Sequence, residues 1–126
     1  MIDNEKGIFN SVAKALHDKF DIYVIGAEIS DSPPKFPAVS FVQTNNLIKA
    51  NYSTFNSLEN VVQEEYKAEV FSNLETGKEA QTKEITEIIS DCLVSLGYER
   101  TFCEMVPNTD STISRRMSRF RKNNVI

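Results

Sequence analysis

The chain is 126 residues long, 40% hydrophobic and 25% charged. That balance belongs to one globular domain, long enough to bury a core without disulfides or a structural metal, and it excludes a disordered chain. The net charge of −4 hides an uneven distribution, because residues 111–126 hold Arg115, Arg116, Arg119, Arg121 and Lys122 and no acid, a strip of +5 that leaves −9 on the rest.

No apolar run approaches the roughly 18 residues of a membrane span. The opening Met1-Ile2-Asp3-Asn4-Glu5-Lys6 lacks the basic and apolar regions of a secretory signal, so the chain is expected to stay in the cytoplasm.

The first element is a helix. Ile8, Phe9, Val12, Ala13, Leu16 and Phe20 recur at the spacing of one helical face, with Asp3 or Asn4 as cap and Lys6, Asn10, Lys14 and Asp18 on the wet side. His17, beside Leu16 and Phe20, reads as a boundary residue. Residues 22–29 are short, apolar and β-branched, hence a strand. Three prolines within residues 33–37 make 30–37 a loop. A second strand is expected over 38–43.

Residues 44–58 are rich in Asn, Ser and Thr and read as irregular. Leu47, Ile48, Tyr52 and Phe55 within them leave two uses open, packing back onto the domain or docking on a partner. Over 61–72, Val62, Tyr66, Ala68 and Val70 alternate with Gln63, Glu65, Lys67 and Glu69, a strand with one buried and one wet face. Glu64 interrupts the apolar set and suggests an exposed strand end.

A second helix spans about 78–96, with Ile85, Ile88, Ile89, Cys92, Leu93 and Leu96 as its apolar stripe. Thr76 and Glu79 have the spacing of a capping box, and Gly97 is the expected left-handed stop. Two last strands follow, at 98–106 and from 112 to about 122, joined by a turn at Pro107-Asn108-Thr109-Asp110. The whole is one α+β domain, 1–126, of order α-β-β-β-α-β-β: a mostly antiparallel sheet with two helices packed on one face.

Catalytic and cofactor signatures are missing. The chain has one histidine, no GxSxG, no GxGxxG and no Walker A sequence, and its paired carboxylates Glu64-Glu65 and Glu84/Glu87 fall on faces that read as solvated. Cys92 and Cys103 form no CxxC pair, so a zinc site with its usual four or so ligands is not expected, and both thiols read as reduced, at least one in the core. No enzyme activity, cofactor or metal is therefore expected. On a strand, Arg115, Arg119 and Arg121 share a face with Met117, while Arg116, Ser118, Phe120 and Lys122 share the other. That is not a clean basic face for nucleic acid, and it reads better as a charged edge strand or an interface strand facing an acidic neighbour.

Several phrases carry a family likeness. They are the amphipathic first helix; Phe36-Pro37-Ala38-Val39-Ser40-Phe41; Tyr66-Lys67-Ala68-Glu69-Val70-Phe71 leading through Gly77-Lys78-Glu79-Ala80 to Leu96-Gly97-Tyr98; and Pro107-Asn108, Ile113-Ser114-Arg115-Arg116 and Arg119-Phe120. From about residue 5 to 122 the chain resembles the tail terminator, or tail completion, proteins of tailed bacteriophages and phage-derived tail-like particles.

The resemblance implies a ring, usually a hexamer, at the head-proximal end of the tail tube. Such a ring stops tube growth and provides the docking surface for the head or a capping element, with no cofactor. Its partners would be itself, the tail tube protein and sheath, collar or head–tail connector proteins, first in the bacterial host cytoplasm and then in the virion or particle. Contacts are expected from Leu47, Ile48, Tyr52 and Phe55 and from Arg115, Arg116, Arg119 and Arg121, with Arg115 and Arg116 foremost. The alternatives are a head–tail adaptor or stopper and, from another class, a small nucleic-acid-binding regulator using the basic strip.

Overall fold

The computed structural model describes residues 5–20, 22–27, 33–48, 61–108 and 112–125. Its elements, in order, are α1 (Glu5–His17), β1 (Tyr23–Ile25), β2 (Ala38–Ile48), β3 (Val61–Ser72), α2 (Lys78–Ser95), β4 (Glu99–Val106) and β5 (Ser114–Val125). The expected α+β order is thus the observed one. The strands form one sheet in the order β1-β2-β3-β5-β4. β1 runs parallel to β2, and every other pairing is antiparallel.

Both helices lie on one face, where alternate strand residues point. Val12 and Leu16 of α1 and Ile85, Ile89 and Leu93 of α2 pack with Val39, Phe41, Tyr66, Ala68, Val70, Tyr98 and Phe120. The register explains the grouping: Val39 lies opposite Val70, Phe41 opposite Ala68, and Tyr66 opposite Phe120. Phe41 and Tyr66 stack at 5.1 Å, and Tyr98 meets Tyr66 edge-on at 5.6 Å. Each large side chain buried here contributes about 1.5–3 kcal/mol.

The buried stripe of α2 is Thr82, Ile85, Thr86, Ile89 and Leu93. Ile88 and Cys92 are half-buried, and Leu96 is 36% exposed, so the expected stripe is rotated. The cause lies beneath the first half of the helix, where the sheet is polar. Ser72 donates to Gln81, and Arg116 Nε stands 3.5 Å from Thr82 Oγ1. Threonines suit that surface; leucines would not.

Three further expectations are corrected. The strand expected to end at Gln43 continues to Ile48, because a bulge at Thr44, whose hydroxyl donates to the Glu65 carbonyl at 3.2 Å, absorbs one residue and lets pairing resume at Asn45–Glu65. The N-cap of α2 is Gly77, with φ +83° and no side-chain cap, rather than Thr76. β5 reaches Val125 and lies between β3 and β4, so it is not an edge strand. Gly97 does take the left-handed conformation, φ +93°, after α2. Residues 3 and 4, assigned above to the α1 cap, lie outside the described residues.

Candidate functional site

The face of the sheet turned away from the helices carries most of the charge. At one end Ala38, Phe71 and Ile113 are buried, with Tyr23, Ile25 and Phe36 packed around them. Beyond this cluster the strands present ion pairs. Glu69, only 1% exposed, is bound by both Arg115 and Lys67, and Arg115 also lies over the Phe71 ring at 5.2 Å. Arg119 contacts Glu65 at 3.2 Å, and Arg121 reaches Glu99 at 3.7 Å.

The register sets this ladder. Glu65 lies opposite Arg121 and Lys67 opposite Arg119, so each acid of β3 meets an arginine of β5 directly or on the diagonal. With Glu104 opposite Met117, the face holds Lys67, Arg115, Arg119 and Arg121 against Glu65, Glu69, Glu99 and Glu104. The strip that is strongly basic in sequence is therefore balanced in space. The remaining two cations turn to the helix side. Arg116 approaches Thr82, and Lys122 donates to the Leu96 carbonyl at 2.7 Å and stands 5.5 Å from the centre of the Tyr98 ring.

Of the residues expected to make contacts, Arg115, Arg116, Arg119 and Arg121 thus come together on β5 and are engaged within the chain. Leu47 and Ile48 pair through their backbones with Gln63 and Val62 at the end of the β2–β3 hairpin. Tyr52 and Phe55 lie outside the described residues.

Sequence reasoning missed two interior carboxylates. Glu64 is fully buried rather than at an exposed strand end, and the Tyr98 hydroxyl donates to its Oε2 at 2.7 Å. Burial, then the bond to Glu64, pushes the Tyr98 phenol well above its ordinary range. Glu69 is the second. The signal for Glu64 was present, since it has the same parity as Tyr66, Ala68 and Val70. Glu69 shares the parity of Lys67 and reads as wet until the arginine beside it is known.

A hollow of about 360 Å³ opens on the helix side where β1 ends. Phe9, Phe41 and Tyr66 line it with Gly26, and Glu5 and Lys6 stand at its rim. The two thiols are free and half-buried, and burial raises the Cys92 thiol. His17 is exposed, with Nε2 3.2 Å from the Ile22 carbonyl oxygen. Among the described residues no group of His, Cys, Asp and Glu is placed to share a metal ion, and no helix is long and apolar enough to cross a membrane. The sequence matches no family model, and no curated protein matches it.

Proposed function

We propose that this chain is a structural ring subunit that caps the head-proximal end of a bacteriophage or phage-like tail tube, ending tube growth and offering a docking surface to the head or collar. The observation that carries this reading is the length of the sheet relative to its helices. Lys122 contacts Leu96, the residue that closes α2. Pairing continues past that level through Gln63–Asn123, Val62–Asn124 and Val61–Val125, with Leu47–Gln63 and Ile48–Val62 alongside.

β2, β3 and β5 thus extend beyond the helical layer as a braced three-stranded arm. An arm of this kind costs little to order on contact and suits a subunit that works by meeting others. The balanced charge of the open face weighs in the same direction. Arginines already held by acids offer little to a phosphate backbone, so the nucleic-acid reading loses its main support.

Electron microscopy of tail tubes assembled with and without the protein tests the proposal. The expected result is a ring of added density at one end and tubes that stop growing there. Tubes that elongate freely with no protein at their ends would overturn it, and tight, steeply salt-dependent DNA binding would favour the regulator instead.

A further inference from the structure

Two strand edges of the sheet are open among the described residues. β4 is the last strand on one side, eight residues long, with Met105 39% exposed. On the other side β1 covers β2 only from Ala38 to Ser40, so Phe41–Ile48 presents its outer backbone. The hollow lined by Phe9, Phe41, Tyr66 and Gly26 lies at the point where β1 stops and that open stretch begins. An unpaired edge beside an apolar hollow is the arrangement by which a sheet accepts an added strand: main-chain hydrogen bonds hold it, and the hollow takes one of its side chains.

We infer that the added strand is β4 of a second copy of this chain, seated antiparallel along Phe41–Ile48 with Met105 of that copy in the hollow. This deepens the ring reading above and rests on it. Three observations identify the occupant. β2 is antiparallel to β3, β3 to β5 and β5 to β4, so β2 and β4 run in opposite directions. Copies placed side by side with their helices on the same face therefore meet as an antiparallel pair, the more stable kind.

The open stretch of β2 and the whole of β4 are also equal in length. Finally, Met105 lies opposite Arg116, and its sulfur is 3.9 Å from Thr82 Oγ1, so it belongs to the helix side, where the hollow opens. An even stagger sets it opposite Phe41 or Gln43. A flexible thioether against three aromatic rings is a favourable contact.

Because β1 blocks Ala38–Ser40, each copy must be displaced along the strand relative to the last, and such a stagger is what a closing sheet requires. The two halves of the contact differ. It is heterologous and repeats head to tail until it closes.

The test uses the intact chain and two variants. Met105→Lys spoils only the donor edge, and Gly26→Leu fills only the hollow; a Cβ at Gly26 meets Phe9 at an ordinary 3.5 Å, so the fold tolerates it. Native mass spectrometry is expected to show rings for the parent, monomers for each variant alone, and one-to-one dimers when the variants are mixed, since each retains the half that the other lacks. In the parent, amides of β4 and of residues 41–44 should exchange more slowly as concentration rises, a readout that needs no substitution. Rings from either variant alone, or no dimers from the mixture of monomeric variants, would overturn the edge contact while leaving the ring reading standing. A parent that stays monomeric at all concentrations and on tubes would overturn both.

Discussion

Tyr98, the residue just before β4, donates its phenolic hydrogen to Glu64 of β3 across 2.7 Å in the protein interior. The bond joins the exit of α2 to the central strand and gives a buried carboxylate a donor. Tyr98→Phe removes the donor and leaves the acceptor buried. We expect a loss of about 1–3 kcal/mol in urea denaturation, with the sheet otherwise intact.

The same bond fixes a dependence on alkaline pH. The folded state holds the Tyr98 proton more tightly than the unfolded chain, where a tyrosine releases it near pH 10 or so. Stability from this group is therefore fully present below about pH 10 and declines above it, by at most about 1.4 kcal/mol per pH unit. Denaturation curves for the parent and Tyr98→Phe should converge as the pH rises from about 10. A constant gap between them would contradict the assignment.

Arg115 and Arg121 should behave differently although they share a face. Arg115 is bound to Glu69, which is 1% exposed, so Arg115→Glu sets two like charges together in a desolvated place and should cost about 3–5 kcal/mol. Arg121 is 45% exposed, and its partner Glu99 73%, so Arg121→Glu should change stability by less than about 1 kcal/mol. Thermal melts of the two variants check this. Reversing Arg115 and Arg116 together, which the sequence suggested as a probe of assembly, would unsettle the fold; Arg121 is the cleaner probe.

Along α2, Ile89→Ala should cost about 2–5 kcal/mol because the side chain is fully buried, and Ile89→Asp should abolish folding. Leu96→Ala, at a position 36% exposed, should cost far less. Denaturant midpoints for the three variants give the ranking directly.

At the start of α2, Gly77→Ala should destabilise by about 1–2 kcal/mol, since φ is +83° and nothing crowds a Cβ there. Gly77→Asn should cost less than Gly77→Ala, as asparagine tolerates the left-handed region. Thr76→Ala should change little, because Thr76 is not the cap. A large loss at Thr76 would restore the capping box.

The architecture was legible because its signals are local. The apolar stripes of α1 and α2, the alternation through Tyr66, Ala68 and Val70, and the stop at Gly97 each follow from backbone geometry and burial. The charged face was not legible, because Glu65 and Arg121 are far apart in the chain and become neighbours only through strand order. A run of five cations without an acid looks like a free basic strip until β3 is laid beside it. The rotation of α2 was hidden for a related reason: threonines at 82 and 86 look like surface residues unless the polar sheet beneath them is known.

The bulge at Thr44 gives the β2–β3 hairpin a reading frame. Upstream of it Gln43 is matched with Tyr66; downstream Asn45 is matched with Glu65, so one residue of β2 is spent without a counterpart in β3. Deleting Thr44 would draw every later residue of β2 one step along, matching Leu47 to Val62 in place of Gln63 and exchanging the two sides of the strand. Insertions and deletions in this arm are therefore not interchangeable with substitutions. A change of one residue between Gln43 and the end of β2 inverts the arm, whereas a change of two preserves it. Length variation in this hairpin should accordingly come in even steps, or in single steps offset by the gain or loss of a bulge.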